Sequence, residues 1–414
     1  MFSKLNLSAR SKTVLGLLIL FTLMVLSFGL PKNSWAQGRL VIEPYLDVGW
    51  KYDSNFYFSD KKEKAADTYI VKPGLKFGYT TDKSLVSLDY YADIQRYDDH
   101  DDYKTNTSDD ETAEGQDYVG HMATFSAQSQ ITHRLLIGLD NVFLKTRDAA
   151  NSDVNSNGVA RLKYTLNTFT PRVVYNFGDK FGMGLKYTNH LTDYTDEGKG
   201  EDSYEDRGTL NLFYYFNSKM SLDLDYQYWT RDYDKASIDY DTQQFLLNFN
   251  RQINFLTFSI GAGYQARSFG DNNAGVMDFE TFIWNASVQG QNETNDRGIP
   301  RTSVYLALGS RYNDNGSGNS YYEARRLDVA VSHLIMDKLN CTLAGYFQNS
   351  DYENNSREDD RWHASLRLDY FINDFFTCGL EGGLEERDSN TAGKDFEKKY
   401  LMFNLKMDYD FAPK

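Results

Sequence analysis

The stretch Ser221–Asp234, SLDLDYQYWTRDYD, places Asp223 and Asp225 between Leu222, Leu224 and Tyr226. Two carboxylates this close can be the working pair of an acid–base enzyme. They can equally be the wet face of a β-strand whose other face is apolar, because successive side chains of a strand point to opposite sides. The triplet recurs as Leu88-Asp89-Tyr90, Leu368-Asp369-Tyr370 and Met407-Asp408-Tyr409. A catalytic pair does not recur along a chain in this way, whereas a structural solution does. Asp223 and Asp225 are therefore read as residues of a water-filled lumen, and the Tyr of each triplet as part of an outward apolar row.

The same alternation runs through the rest of the chain. In LTFSIGAGYQAR, Leu256, Phe258, Ile260, Ala262, Tyr264 and Ala266 share one face, and Thr257, Ser259, Gly261, Gly263, Gln265 and Arg267 share the other. In VSLDYYADIQ, Val86, Leu88, Tyr90, Ala92 and Ile94 oppose Ser87, Asp89, Tyr91, Asp93 and Gln95. In WHASLRLDY, Trp362, Ala364, Leu366, Leu368 and Tyr370 oppose His363, Ser365, Arg367 and Asp369.

These segments come as hairpins. YIVKPGLKFGY turns at TTDK into SLVSLDYYADIQRY, RGTLNLFYYF turns at NSKM into the opening stretch, and RWHASLRLDYF turns at INDF into FTCGLEGGLEERD. QQFLLNFN turns near Arg251–Asn254 into FLTFSIGAGYQARSF. Longer polar connections separate the hairpins, among them DDHDDYKTNTSDDETAEGQD, TDEGKGEDSYEDRG, NDNGSGNS and SDYENNSREDD. Short turns alternating with long polar loops are the asymmetry of an outer-membrane barrel, with short turns on the periplasmic side. A soluble sandwich would need a second apolar layer and turns of more even length. The expected fold is all-β: a transmembrane antiparallel up-and-down β-barrel of about 18 strands (16–18). Pro171 breaks the alternation in the segment 161–177, so a β-bulge is expected there.

A closed ring presents each apolar row to lipid and each polar row to the interior, and it satisfies every backbone group where lipid offers no hydrogen bonds. The polar rows supply the candidate lumen residues Lys76, Asp89, Asp93, Lys186, Asp223, Asp225, Arg231, Arg267, Arg311, Arg326, Asp328, Arg367, Asp369, Lys406 and Asp408. Tyr91, Trp229 and Tyr346 are aromatic candidates on the same rows. The charges are of mixed sign, with no one-sign ring of the kind that selects ions. They are expected to pair across neighbouring strands and to line a hydrated path.

Composition agrees. Of 414 residues 15% are aromatic, only 6 are proline, and the formal net charge is −15. The mean hydropathy is −0.60. Lys4, Arg10 and Lys12 precede the apolar run Val14–Leu30, and Ser34 and Ala36 form a small-x-small site, so residues 1–36 read as a signal peptide and 37–414 as the barrel. An uncleaved anchor is the alternative reading of the run. Removing residues 1–36 removes four of the 44 basic residues and none of the 59 acidic ones, an acidity that excludes nucleic acid as a partner. Cys341 and Cys378 fall on outward rows of strands separated by another strand, about 10 Å apart and too far to bond.

The histidines form no metal-ligating set, and no nucleophile elbow or phosphate loop is present. No enzyme activity, catalytic residue, metal or cofactor is expected. The acidic connection 98–117 could attract divalent cations but lacks the spaced ligands of a calcium loop. Few residues separate the processing site from the first strand, so no folded plug is expected.

The first strands resemble the β-barrel porin type 2 family. The carrying residues are EPYLDVGWKYDSNFYF with Tyr52-Asp53-Ser54-Asn55-Phe56, then YIVKPGLKFGY around Pro73-Gly74, then SLVSLDYYADIQRY. The last strand, NLKMDYDF, is similar to the terminal signal read by the barrel-insertion machinery, with Tyr409 and Phe411 as its aromatics, although Lys406 stands where Gly is usual. The resemblance implies a bacterial outer-membrane location, contact with lipid and lipopolysaccharide, and passage of a hydrophilic solute. It further implies a part in exopolysaccharide export with periplasmic polysaccharide-export proteins as partners. The competing expectation is a structural or docking barrel with an occluded lumen.

Overall fold

The computed structural model describes residues 38–411 apart from 62, 100–112, 114, 116, 148–161, 196–199, 235–238, 270–277, 296, 315–320 and 354–355. The signal-peptide reading of residues 1–36 and the cation reading of the acidic connection fall outside the described residues.

The chain forms β1 (Arg39–Asp53), β2 (Ala66–Thr80), β3 (Ser84–Asp99), β4 (Tyr118–Thr132), β5 (Leu135–Thr146) and β6 (Tyr164–Asn176). It continues as β7 (Phe181–Tyr194), β8 (Ser203–Asn217), β9 (Met220–Tyr233), β10 (Tyr240–Ile253), β11 (Leu256–Phe269) and β12 (Phe279–Gln291). The last third is β13 (Thr302–Asp314), β14 (Tyr321–Ile335), β15 (Leu339–Tyr352), β16 (Glu358–Phe371), β17 (Phe376–Ser389) and β18 (Phe396–Asp408). Consecutive strands pair antiparallel in one 18-stranded sheet. β1 closes the ring on β18, from Tyr45↔Asp408 to Asp53↔Tyr400. The Tyr409 and Phe411 amides extend the seam by donating to the Pro44 and Ile42 carbonyls. The fold class and strand count are those read from the alternation.

Seven of the eight connections at one end have two to four residues. The exception is 292–301 between β12 and β13, where a Thr294↔Pro300 bridge forms a small secondary hairpin. Gly298 turns it at φ 75°, a conformation that favours glycine. Connections at the other end run from five to 18 residues.

The bulge expected at Pro171 is absent. Phe169↔Asn189 and Arg172↔Lys186 keep one register on either side of it. Proline lacks the N–H for one ladder bond, so pairing lapses there without an inserted residue. Register shifts occur instead at Gln130/Thr132 and Tyr215/Asn217, beside short turns.

The apolar rows are exposed: Leu88, Tyr90, Leu224, Phe245, Leu247, Phe258, Ile260, Leu366 and Tyr370 all lie open on one face. Phe177, Phe181, Phe216, Phe255, Phe375, Tyr409 and Phe411 add exposed aromatics around the short-turn rim, where a membrane-interface girdle belongs. Cys341 and Cys378 are free and half-buried, on β15 and β17 with β16 between them. The polar rows face the concave side. One cavity is lined by polar-row residues of β7 through β13, and a face shared by seven neighbouring strands can enclose a single space only on the inside of the curve.

The end of the β13–β14 hairpin leaves the ring. β13 stops pairing with β12 at Trp284↔Ser310, yet it stays paired with β14 to Asp314↔Tyr321. By alternation Tyr312 and Tyr321 belong to the outward row, but they are only 5% and 1% exposed. Tyr312 stacks on Phe279 at 3.5 Å, and Tyr321 packs on Phe269 at 4.7 Å and Tyr240 at 6.0 Å. Tyr240 and Tyr321 lie four strands apart, about 19 Å along the wall. Rings that far apart on the wall meet only if the hairpin end turns inward across the long-loop end of the barrel.

Candidate functional site in the barrel interior

The sequence candidates occupy three settings. Along β14 to β18 the charges are paired, but mostly two residues apart on one strand rather than across neighbouring strands. Arg326 meets Asp328 at 2.8 Å, Arg367 meets Asp369 at 2.8 Å, and Lys406 meets Asp408 at 2.7 Å. Residues i and i+2 share a face about 7 Å apart, a span the long basic side chains cover. Cross-strand partners come from residues missed in the sequence. Arg367 also reaches Glu381 at 3.1 Å, and Arg361 binds Glu385 with Nε 2.9 Å from Oε1. The Tyr346 hydroxyl donates to Glu385 at 3.1 Å, and the Tyr400 hydroxyl donates to Glu381 at 2.8 Å. Lys398 joins Asp53 at 2.8 Å. The signal for Glu381 and Glu385 was present: they alternate with Leu380 and Leu384, which are exposed on the outside.

Glycines let this network lie flat. Gly379 stands between Asp369 and Asn404 in register. The Arg367 guanidinium reaches across it to Asn404 at 3.3 Å, and a Cβ at Gly379 would overlap the Asn404 side-chain oxygen. Gly261 stands likewise between Asn248 and Asn285. Across it the Asn285 amide donates to Asn248 at 3.2 Å.

The second setting is acidic and amide-rich. Asp225 accepts from Asn211 and, at 3.4 Å, from Asn248. Asp223 accepts from Asn250. On the opposite arc, Asp89 accepts the Tyr45 hydroxyl at 2.8 Å, and Asp93 lies 3.6 Å from Lys72. Lys76 pairs with Glu43 at 3.7 Å.

The third setting is a cavity of about 570 Å³ in the long-loop half, which brings together Lys186, Arg231, Arg267 and Arg311 with Arg207, Glu205 and Trp229. Arg267, 3% exposed, donates to the Thr242 hydroxyl at 3.0 Å. Its guanidinium lies 3.9 Å from the Tyr240 ring centre and 5.1 Å from that of Tyr312, so it also holds the turned-in hairpin. Arg207 lies 4.2 Å over the Trp229 ring. Below this cavity a second one of about 420 Å³ is lined by Asp223, Asn250, Ser287, Gln289, Arg326 and Asp328. The two meet at Asn285 and Arg311. The charges, mixed in sign along the sequence, are thus sorted by place: basic residues predominate in the long-loop half from β7 to β13, Asp223 and Asp225 lie below them on β9, and paired charges run from β14 through the seam.

Of the aromatic candidates, Trp229 faces the cavity under Arg207, Tyr346 is covered by Arg326 at 3.9 Å, and Tyr91 lies 5.5 Å from the Lys72 ammonium. Among the described residues no group of three His, Cys, Asp or Glu side chains is arranged to hold a metal.

Among solved structures the chain is similar to OpdK of Pseudomonas aeruginosa, solved with vanillate, at 14% identity over 89% of this chain and 99% of that one, with a TM-score of 0.47. It is similar to Pseudomonas aeruginosa OccK8 (OprE) at 11% identity, 90% and 98% coverage and a TM-score of 0.47. For Acinetobacter baumannii OccAB2 the values are 12%, 92%, 100% and 0.47. No curated protein sequence matches the chain. The matched family segment lies at the other end of the chain from the strands that carry the resemblance in sequence. Residues 254–409, which include β11 to β18, match the model of the family described as Putative beta-barrel porin 2, and this part of the chain is similar to that family.

Proposed function

We propose that the barrel passes a hydrophilic solute across the outer membrane, with export of an exopolysaccharide as the specific role. The observation that carries this reading is the pair of cavities meeting at Asn285 and Arg311. They run from the long-loop half toward the short-turn half along one polar wall. A ring of 18 strands has the girth for an aqueous channel, and flat-lying side chains such as Asn248 and Asn285 preserve the bore. Export of a polymer needs a continuous hydrated lane with many hydrogen-bonding groups, and this wall offers amides and hydroxyls along its length. On this reading lipid and lipopolysaccharide meet the apolar face, and periplasmic export proteins deliver the polymer to the short-turn end.

Conductance in planar bilayers tests passage, and current steps are expected. Deletion of the gene, followed by measurement of surface polysaccharide amount and length, tests export. Unchanged polysaccharide would remove that role. The inward turn of the β13–β14 hairpin favours a second reading, a barrel with an occluded interior that anchors a partner. Electrical silence at all voltages would support it.

A further inference from the structure

We propose that the cavity beneath the turned-in hairpin binds a sugar chain bearing carboxylates. This rests on reading the interior as a passage, and it names the chemistry of what passes. Five basic side chains line the cavity, and Glu205 is the single carboxylate among its described lining residues. Glu205 is engaged by Arg207 at 2.8 Å, with Arg231 at 3.9 Å. Neither Lys186 nor Arg311 has an ion-pair partner among the described residues, and both face this space. Such an excess is against the trend of a chain with 59 acidic and 44 basic residues.

Like charges gathered in a confined recess repel one another, and an oxyanion relieves that repulsion through charge-assisted bonds. Charge alone would suit any anion. Gln227, Gln244 and Asn285 share the wall and offer amide donors and acceptors of the kind that sugar hydroxyls take. The volume lies within the range of about 300–1,000 Å³ common for ligand sites. Recognition is by hydrogen bonding rather than stacking, because Arg207 already covers the Trp229 ring. The lower cavity has no such excess: besides the shared Arg311 its one basic residue, Arg326, is paired with Asp328 at 2.8 Å, and Asp223 adds a further carboxylate. Anion preference is therefore placed in the long-loop half only.

The test is calorimetric titration of the full-length processed protein in detergent with trigalacturonate, maltotriose and inorganic phosphate. Trigalacturonate should bind, more weakly as salt rises, and maltotriose should not. Lys186→Gln and Arg311→Gln should each weaken binding by about tenfold. Lys186→Arg should stay within about threefold of the parent, because it keeps the charge. Heat-modifiable electrophoretic mobility confirms that each variant is folded. Equal binding of maltotriose, phosphate binding as tight as trigalacturonate, or unaltered binding by both folded Gln variants would each overturn the proposal. An open channel that binds no trigalacturonate refutes the site and keeps the passage. A silent barrel whose trigalacturonate binding is lost with Lys186 and Arg311 does the reverse.

Discussion

Replacing Tyr321 by alanine should free the turned-in hairpin and widen the long-loop end of the barrel. Its ring packs on Phe269 at 4.7 Å and on Tyr240 at 6.0 Å, and it lies 5.9 Å from the Arg267 guanidinium. Each aromatic pair contributes about 0.5–1.5 kcal/mol, and a desolvated cation–π contact about 0.5–2 kcal/mol. Together about 1.5–5 kcal/mol favours the inward position. At about 1.4 kcal/mol per factor of ten, losing it shifts the balance of inward and released hairpin by about 10-fold to about 4,000-fold. Single-channel recording in planar bilayers reads this directly: Tyr321→Ala should spend most of its time at a larger conductance than the parent. Tyr240→Ala removes a supporting ring from the fixed wall and should act in the same direction. If both variants fold and insert but reproduce the parent's step size and dwell times, the hairpin does not narrow the barrel and this reasoning is wrong.

Glu385→Ala leaves Arg361 charged in a site where the two side chains are 13% and 12% exposed. Breaking a buried pair costs about 3–5 kcal/mol, and the hydrated interior should hold the loss near 3, read as urea unfolding in lipid vesicles; a loss below 0.5 kcal/mol would contradict the pairing. Gly261→Ala should push the Asn248 or Asn285 side chain off the wall, reducing conductance while leaving unfolding within about 1 kcal/mol, since one lost hydrogen bond is set against the strand preference of alanine over glycine. Ile260→Lys, at a position 62% exposed on the apolar face, should cost about 2–4 kcal/mol and lower the inserted fraction, whereas Ser259→Lys on the adjacent inner position should insert normally.

The architecture was legible because two local signals repeat. Period-two alternation fixes which residues face out, and turn length separates the two ends of the barrel. Both survive without any knowledge of which strands pair. What was hidden depends on three strands at once. Gly261 looks like an idle small residue until the register sets it between Asn248 and Asn285. The sorting of charge by place was invisible for the same reason, since Lys186 and Arg311 are remote in sequence and share a cavity only after the ring closes. Local reach accounts for Arg326, Arg367 and Lys406, which each find an acid two residues along, while Lys76, Asp93 and Arg367 also pair across neighbouring strands as expected. Alternation itself misassigns Tyr312 and Tyr321: it is a rule for strands in the wall, and their hairpin end departs from it.

The central claim is that water and lipid touch opposite faces of one ring. It is tested most directly by spin labels placed one at a time along β11 in bilayers. Labels at Leu256, Phe258, Ile260, Ala262 and Tyr264 should be quenched by oxygen dissolved in lipid. Labels at Thr257 and Ser259 should be reached instead by a water-soluble nickel chelate. A two-residue period with the two quenchers out of phase is the predicted result, and equal access of the chelate to both sets would contradict the account.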